Sequence, residues 1–415
     1  MKNTRCRFVL YCVWFGVVCA LQAQTTWTLN PLTSFGTRGD GSIQPGDSIG
    51  TSPLTGNNIL ISAPGATNAW QPGETVQDQR PTGSTNGFNM RGLTYDPVSG
   101  NLVFCDTHLG SAGSVGGAGV ISPYSAIYVL DANSGQIIGA LNTNGIVGGA
   151  YTHVVAGVSD DGVVYVCNQT TASQTTGFKI YRWPTAATNN VAFTNAATLA
   201  YSNLIGASIG TSGERVGQTM DVRGAGTNTQ IIIGTSSLNG TGTNIFLFDT
   251  TDGTNFAAHR ISFPGVIGTA VFNDGIAFGP GNTFWSKQVG KPFLYMAYDS
   301  TALATGTNQI AGTVISSFSA SSVNDPLLNI SAIAVDPVNH LLAGLEGIGG
   351  TATGGRGKVW LFHIPDPTNK APTVLASRTY IPNFQKTVAP MGYLRFRFGT
   401  NLYAHASNNG FLAST

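Results

Sequence analysis

The sequence predicts an all-β fold, a β-propeller of six four-stranded blades, and three observations carry that expectation. Glycine supplies 54 of 415 residues, well above the usual ~7%, while Asp, Glu, Lys and Arg together reach only 9%. Helices need charged surface positions and lose about 1 kcal/mol for each interior glycine, so a mostly helical chain is excluded. The hydrophobic fraction of 42% excludes disorder, because such a chain buries enough apolar surface to offset its ordering entropy. The third observation is a unit that recurs about every 60 residues.

At the start, MKNTRCR carries Lys2, Arg5 and Arg7, and the uncharged apolar run Phe8–Leu21 follows. A charged stretch before an apolar run of this length reads as a signal peptide over 1–23, cleaved after Ala23 or Ala20. The run is short of the ~20 residues that span a bilayer, so no transmembrane segment is expected and the protein should be secreted, periplasmic or at the cell surface. Cleavage removes three of 20 basic residues and none of 19 acidic ones, leaving 17 against 19. That balance gives no electrostatic footprint for nucleic acid. Cys105 and Cys167 remain after cleavage. They form either one disulfide or, the preferred reading, two small buried strand residues.

Residues 24–415 read as a single domain. TTWTLNPLTSF (25–35) is a β-rich stretch without a partner of its own. Residues 36–89 are rich in Gly, Pro, Ser and Asn, with one short apolar run at Ile59–Ile61. They read as an excursion lying against the propeller, the rival being a share in a seventh blade.

Each repeat runs an apolar strand through a turn into a second strand, then into an aromatic-rich third. The copies are GLTYDPVSGNLVFCD (92–106) with AIYVLDANSG (126–135), AGVSDDGVVYVCN (156–168) with FKIYRWP (178–184), and MDVRGAGTNTQIIIGT (220–235) with NIFLFDTTDG (244–253). GIAFGPGNTFWSK (275–287) with FLYMAYD (293–299), AIAVDPVNHLLAGL (332–345) with KVWLFHIPD (358–366), and YLRFRFGTNLYAHA (393–406) complete the set. Aligning second strands brings Cys105, Cys167, Gly234, Ser286, Gly344 and His405 together at a mean spacing of 60. Large apolar residues stand two positions earlier, from Val103 and Tyr165 to Leu342 and Tyr403, on the same face by strand alternation. Fourth strands follow, as in QIIGALN (136–142) and GTVISSFS (312–319). The sixth unit lacks one, and the stretch 25–35 is expected to supply it and close the ring.

RGLTYDPVSGNLVF (91–104), IYVLDANSGQIIGALN (127–142) and GVSDDGVVYVCNQTT with FKIYRW resemble secreted bacterial propellers of a domain-of-unknown-function family. They are more loosely similar to NHL and YVTN-type propellers. The resemblance implies fold and export, and it transfers no catalytic residue.

In such a ring the blade-to-blade loops and the second-to-third-strand loops gather on one face, the expected ligand surface. Its candidate binding residues are Arg91, Asp106, His153, Asn168, Arg215, Gln218, Asp274 and Lys287. Arg91 and Arg215 would serve as bidentate donors to a polar or anionic ligand. The competing reading for each is satisfaction of local backbone. G-x-S-x-G occurs at 46–50 and 206–210, both in Gly-rich loops where no strand-to-helix elbow is expected. No histidine spacing reads as a zinc site. Asp249, Asp252 and Asn255 in DTTDGTN form a weak calcium candidate, a plain turn being the commoner outcome.

The function expected is therefore a non-enzymatic, monomeric binding or surface-interaction module, with a polar small molecule, glycan or protein as partner and no cofactor beyond calcium. The alternative is a propeller enzyme, a metal-assisted lactonase or polysaccharide lyase. It would be favoured by convergence of three or more of Asp106, Asn168, Asp274, Glu346 and His405 within metal-ligand distance.

Overall fold

The structure is a computed structural model. It describes residues 90–379 apart from the connections at 107–125, 133–136, 149–150, 172–176, 188–195, 204–213, 238–243, 264–274, 289, 321–324, 347–357, 365–367 and 369. Outside that span it describes the strands at 31–35, 48–51, 58–60, 392–397, 401–406 and 411–414. Residues 1–23, expected as a signal peptide, and most of 36–89 lie outside the described residues.

The chain begins with β1 (Pro31–Phe35) and a small hairpin of β2 (Ser48–Thr51) and β3 (Asn58–Leu60). Blade one is β4 (Met90–Tyr95), β5 (Asn101–Asp106), β6 (Ala126–Asp131) and β7 (Ile137–Ala140), paired in that order. Blade two is β8 (Tyr151–Val158), β9 (Val164–Thr171), β10 (Phe178–Trp183) and β11 (Thr198–Asn203). Blade three is β12 (Glu214–Arg223), β13 (Gln230–Ser237), β14 (Asn244–Thr250) and β15 (Phe256–Ser262). Blade four is β16 (Gly275–Phe278), β17 (Thr283–Lys287), β18 (Phe293–Tyr298) and β19 (Gln309–Phe318). Blade five is β20 (Ile330–Asp336), β21 (Leu341–Glu346), β22 (Lys358–His363) and β23 (Thr373–Thr379). Blade six joins β24 (Gly392–Arg397), β25 (Asn401–Ala406) and β26 (Phe411–Ser414) to β1, with Phe35 opposite Phe411.

The first strand of each blade touches the first strand of the next, and β24 touches β4, so six blades close the ring. The seventh-blade reading of 36–89 is thereby overturned: its hairpin touches the outer strand β7 and takes no place among the inner strands. The expected closure by the N-terminal stretch is what β1 provides.

Cores lie between blades. Val103, Cys105, Ile127 and Val129 of blade one meet Val164, Val166 and Trp183 of blade two. The opposite face of blade two, with Tyr165, Cys167 and Phe178, meets Ile231, Phe246 and Phe248 of blade three. The two cysteines thus point into different interfaces, both fully buried, and no disulfide links them. Burial pushes the Cys167 thiol up to about 12.

All six aligned positions fall in second strands, but the alignment slips by one residue in blades four and five. Val103, Tyr165 and Ile232 face the following blade, whereas Phe284 and Leu342 face the preceding one. A one-residue shift moves a side chain to the opposite face of a sheet, and Trp285 takes the place assigned to Phe284.

Two seams carry extra pairing. Thr170 and Thr171 of β9 pair with Val216 and Arg215 of β12, and Gln309–Ala311 of β19 run parallel to Arg260–Ser262 of β15 before the strand turns into blade four. At that crossing a Cβ on Gly312 would stand 2.3 Å from the Phe263 ring, so only glycine fits.

Candidate functional site

The register of the sheets puts Arg91, Asp106, Arg215 and Lys287 at one end of the ring, here termed the loop end. Arg91 pairs with Cys105 and Asp106 with Met90. Arg215 pairs with Ser236, and Lys287 with Gly275. The side chains of Arg91, Asp106 and Arg215, and all of Asp274, lie outside the described residues.

Four of the six innermost strands bulge at this end. The register shifts between Arg91 and Leu93 in β4, Tyr151 and Val155 in β8, Val216 and Thr219 in β12, and Ile330 and Ile333 in β20. Bulges re-aim side chains and are over-represented beside ligand sites. Glycine makes two of them: Gly92 has φ +76 and Gly217 φ +94, a region that costs other residues about 1–2 kcal/mol. The bulged stretches carry the buried polar residues Thr152, His153, Gln218 and Ser331. Thr152 Oγ1 lies 3.1 Å from His153 Nδ1.

Two predicted residues serve their own loops instead. Asn168 donates from Nδ2 to Gly177 O (3.1 Å) and accepts from Lys179 N (2.9 Å), tying the ends of the β9–β10 loop. Lys287, fully buried, donates from Nζ to Lys291 O (2.7 Å) and to Gln288 O. Glu346, a residue of the enzyme reading, is also buried and accepts from Trp360 Nε1 (2.8 Å) through Oε1. His405 lies on β25, with its side chain outside the described residues.

Gln169 is the residue that sequence reasoning missed. It follows Asn168 on β9, stands opposite Tyr151 beside the β8 bulge, and is 1% exposed. Among the described residues neither its amide nitrogen nor its amide oxygen has a hydrogen-bond partner. An unpaired buried polar group costs about 1–3 kcal/mol. The only signal in the sequence is the polar pair Asn168–Gln169 ending an apolar strand.

The calcium candidate divides into two separate contacts. Asp249 Oδ1 meets His259 Nε2 at 2.8 Å, while His259 Nδ1 lies 2.7 Å from Thr307 O in the β18–β19 connection of blade four. Burial opposes the imidazolium charge, but the bonds to Asp249 and Thr307 outweigh it and the His259 pKa is raised. Asp252 accepts from Thr254 N (2.7 Å), Asn255 N (2.7 Å) and Asn255 Nδ2 (2.7 Å), which hold its carboxyl well below the usual range. These bonds make a turn, and they use the oxygens a cation would need. Among the described residues no three His, Cys, Asp or Glu side chains gather closely enough to hold a metal.

No family model and no curated protein matches the chain. Among solved structures, a gluconolactonase from Xanthomonas campestris is similar at TM-score 0.44 and 12% identity, over 79% of this chain and 86% of that one. An α-L-arabinanase from Penicillium chrysogenum, complexed with arabinobiose, is similar at TM-score 0.46 and 10% identity, over 79% of this chain and 92% of that one. Likenesses of this strength carry nothing about activity, and the six-bladed ring rests on the strand pairing of this chain. Among the described residues no helix is long and apolar enough to cross a membrane.

Proposed function

We propose that the loop end binds a small polar, carbohydrate-like molecule, in a protein exported by way of residues 1–23. The observation that carries this is Gln169, a buried carboxamide with both polar atoms unpaired, next to bulges that bury Thr152, His153 and Gln218. A vicinal diol suits it, since each hydroxyl both donates and accepts. Gln169→Met keeps the shape and removes the unpaired atoms. The variant should unfold at higher urea than the parent and lose the response to a sugar panel that includes gluconolactone and arabinobiose. A lower urea midpoint, or unchanged sugar binding, refutes the assignment.

A second reading is turnover of a sugar-derived substrate at the same end, as in the lactonase or lyase alternative. It is favoured by His153 and Glu346, two buried groups able to exchange protons at that end of the ring. Proton release during lactone opening, followed in a pH-stat with parent and His153→Gln protein, separates binding from catalysis.

A further inference from the structure

The opposite end of the channel, among the short turns between first and second strands of blades one to five, holds a cavity of about 440 Å³. That size is usual for small-ligand sites. Tyr95, Phe278, Pro97, Pro280 and Pro337 give it an apolar wall. Its charged groups, among the described residues, are Asp160, Asp221 and Arg223.

The wall is fixed before any ligand arrives. In blade one Asp96 accepts from Val98 N (2.9 Å), and in blade five Asp336 accepts from Val338 N (3.0 Å) and Asn339 N (3.1 Å). Between blades, Asp160 Oδ2 accepts from Gly224 N (3.1 Å) and Asp221 Oδ2 from Phe278 N (2.8 Å). Rigid walls lower the ordering cost of binding.

Arg223 belongs to that wall. It makes four hydrogen bonds, two to Gln230 Oε1, one to Gly279 O and one to Tyr298 OH. Its guanidinium covers the Phe278 ring at 4.1 Å from the centroid. Asp160 is exposed and receives a single backbone N–H, although an ionised carboxylate offers about four acceptor sites. Two carboxylates therefore line the cavity against one guanidinium, four of whose five N–H donors are engaged within the wall.

We propose that this cavity binds a small organic cation, an amine on a flat apolar body. The ammonium sits against Asp160, and the body lies between Tyr95, Phe278 and the three prolines. The site is at the far end of the channel from Gln169 and stands independently of the sugar-binding reading.

The test is calorimetric titration of the full chain with phenethylamine, and with phenylacetate as its anionic counterpart. Phenethylamine should bind saturably and phenylacetate at least tenfold more weakly. Asp160→Asn keeps an acceptor for Gly224 N and should weaken the amine about fivefold. Pro280→Trp, at an exposed position on the rim, should abolish binding, with circular dichroism confirming the fold of both variants. The proposal is overturned by a flat titration of the parent, by equal affinity for phenylacetate, or by undiminished binding to Pro280→Trp.

Discussion

Gly157 in β8 faces Val222 of the neighbouring inner strand so closely that an added Cβ would stand 2.3 Å from Val222 Cγ2 and 3.1 Å from Val222 Cβ. Carbon atoms pack comfortably at about 3.5–4.0 Å, so Gly157→Ala overlaps by more than 1 Å and should cost ~1–3 kcal/mol as overpacking. Lower unfolded-state entropy returns about 0.4–1 kcal/mol of that. Val222→Ala alone loses two half-buried methyl groups, a cost of about 1 kcal/mol. Together the changes should not add, because truncating Val222 removes the atoms that clash. The double variant should be more stable than the summed single effects by about 1–2 kcal/mol in equilibrium urea unfolding. Gly92→Ala is the control. Its Cβ would meet Ala156 N and Val155 Cα, both at 2.8 Å, so its obstacle is backbone that no side-chain truncation relieves. Additivity of Gly157→Ala and Val222→Ala within ~0.5 kcal/mol would refute this account of the blade two–three contact.

Other consequences follow from side chains described above. The raised His259 pKa means that the contribution of its bonds to Asp249 and Thr307 is complete below the unfolded value of ~6.5 and is lost as pH rises through the folded value. Urea midpoints measured from pH 5 to 8 should show this loss in the parent and a flatter profile in His259→Gln. Calcium should leave the calorimetric melting temperature unmoved, since Asp252 and Asp249 are already engaged; a rise would restore the cation reading of DTTDGTN. Cys105 and Cys167 should ignore a thiol reagent at pH 8 until the chain unfolds, because both are buried and the Cys167 pKa is about 12.

The ring was legible in the sequence because its signals are local. Asp96 to Gly100 and Asp336 to His340 announce turns, and alternating apolar residues announce the strands that flank them. Face assignment in blades four and five was not legible, because Ser286 and Gly344 resemble Cys105 in size while standing one residue out of step. Strand register places Arg91, Asp106, Arg215 and Lys287 at one end as the repeat implies, but Asn168 and Lys287 close their own loops, a use fixed by carbonyls whose positions no spacing reveals. Gln169 passed unnoticed since its importance lies in lacking partners. The turn-end cavity escaped notice for another reason: it is assembled from five short turns, none of which reads as a site alone.

Pairing of β1 with β26 also sets a clock on biosynthesis. Pro31–Phe35 leaves the ribosome about 380 residues ahead of Phe411–Ser414, its one neighbour in the sheet among the described residues. At ~5–20 residues per second that is roughly 20–80 s during which the first strand has no edge to join. Blades one to five can assemble as they emerge, while the last sheet waits for both extremities. A nascent chain arrested before residue 411 would therefore display unpaired backbone on blade six, a mark by which chaperones and proteases could tell unfinished rings from finished ones.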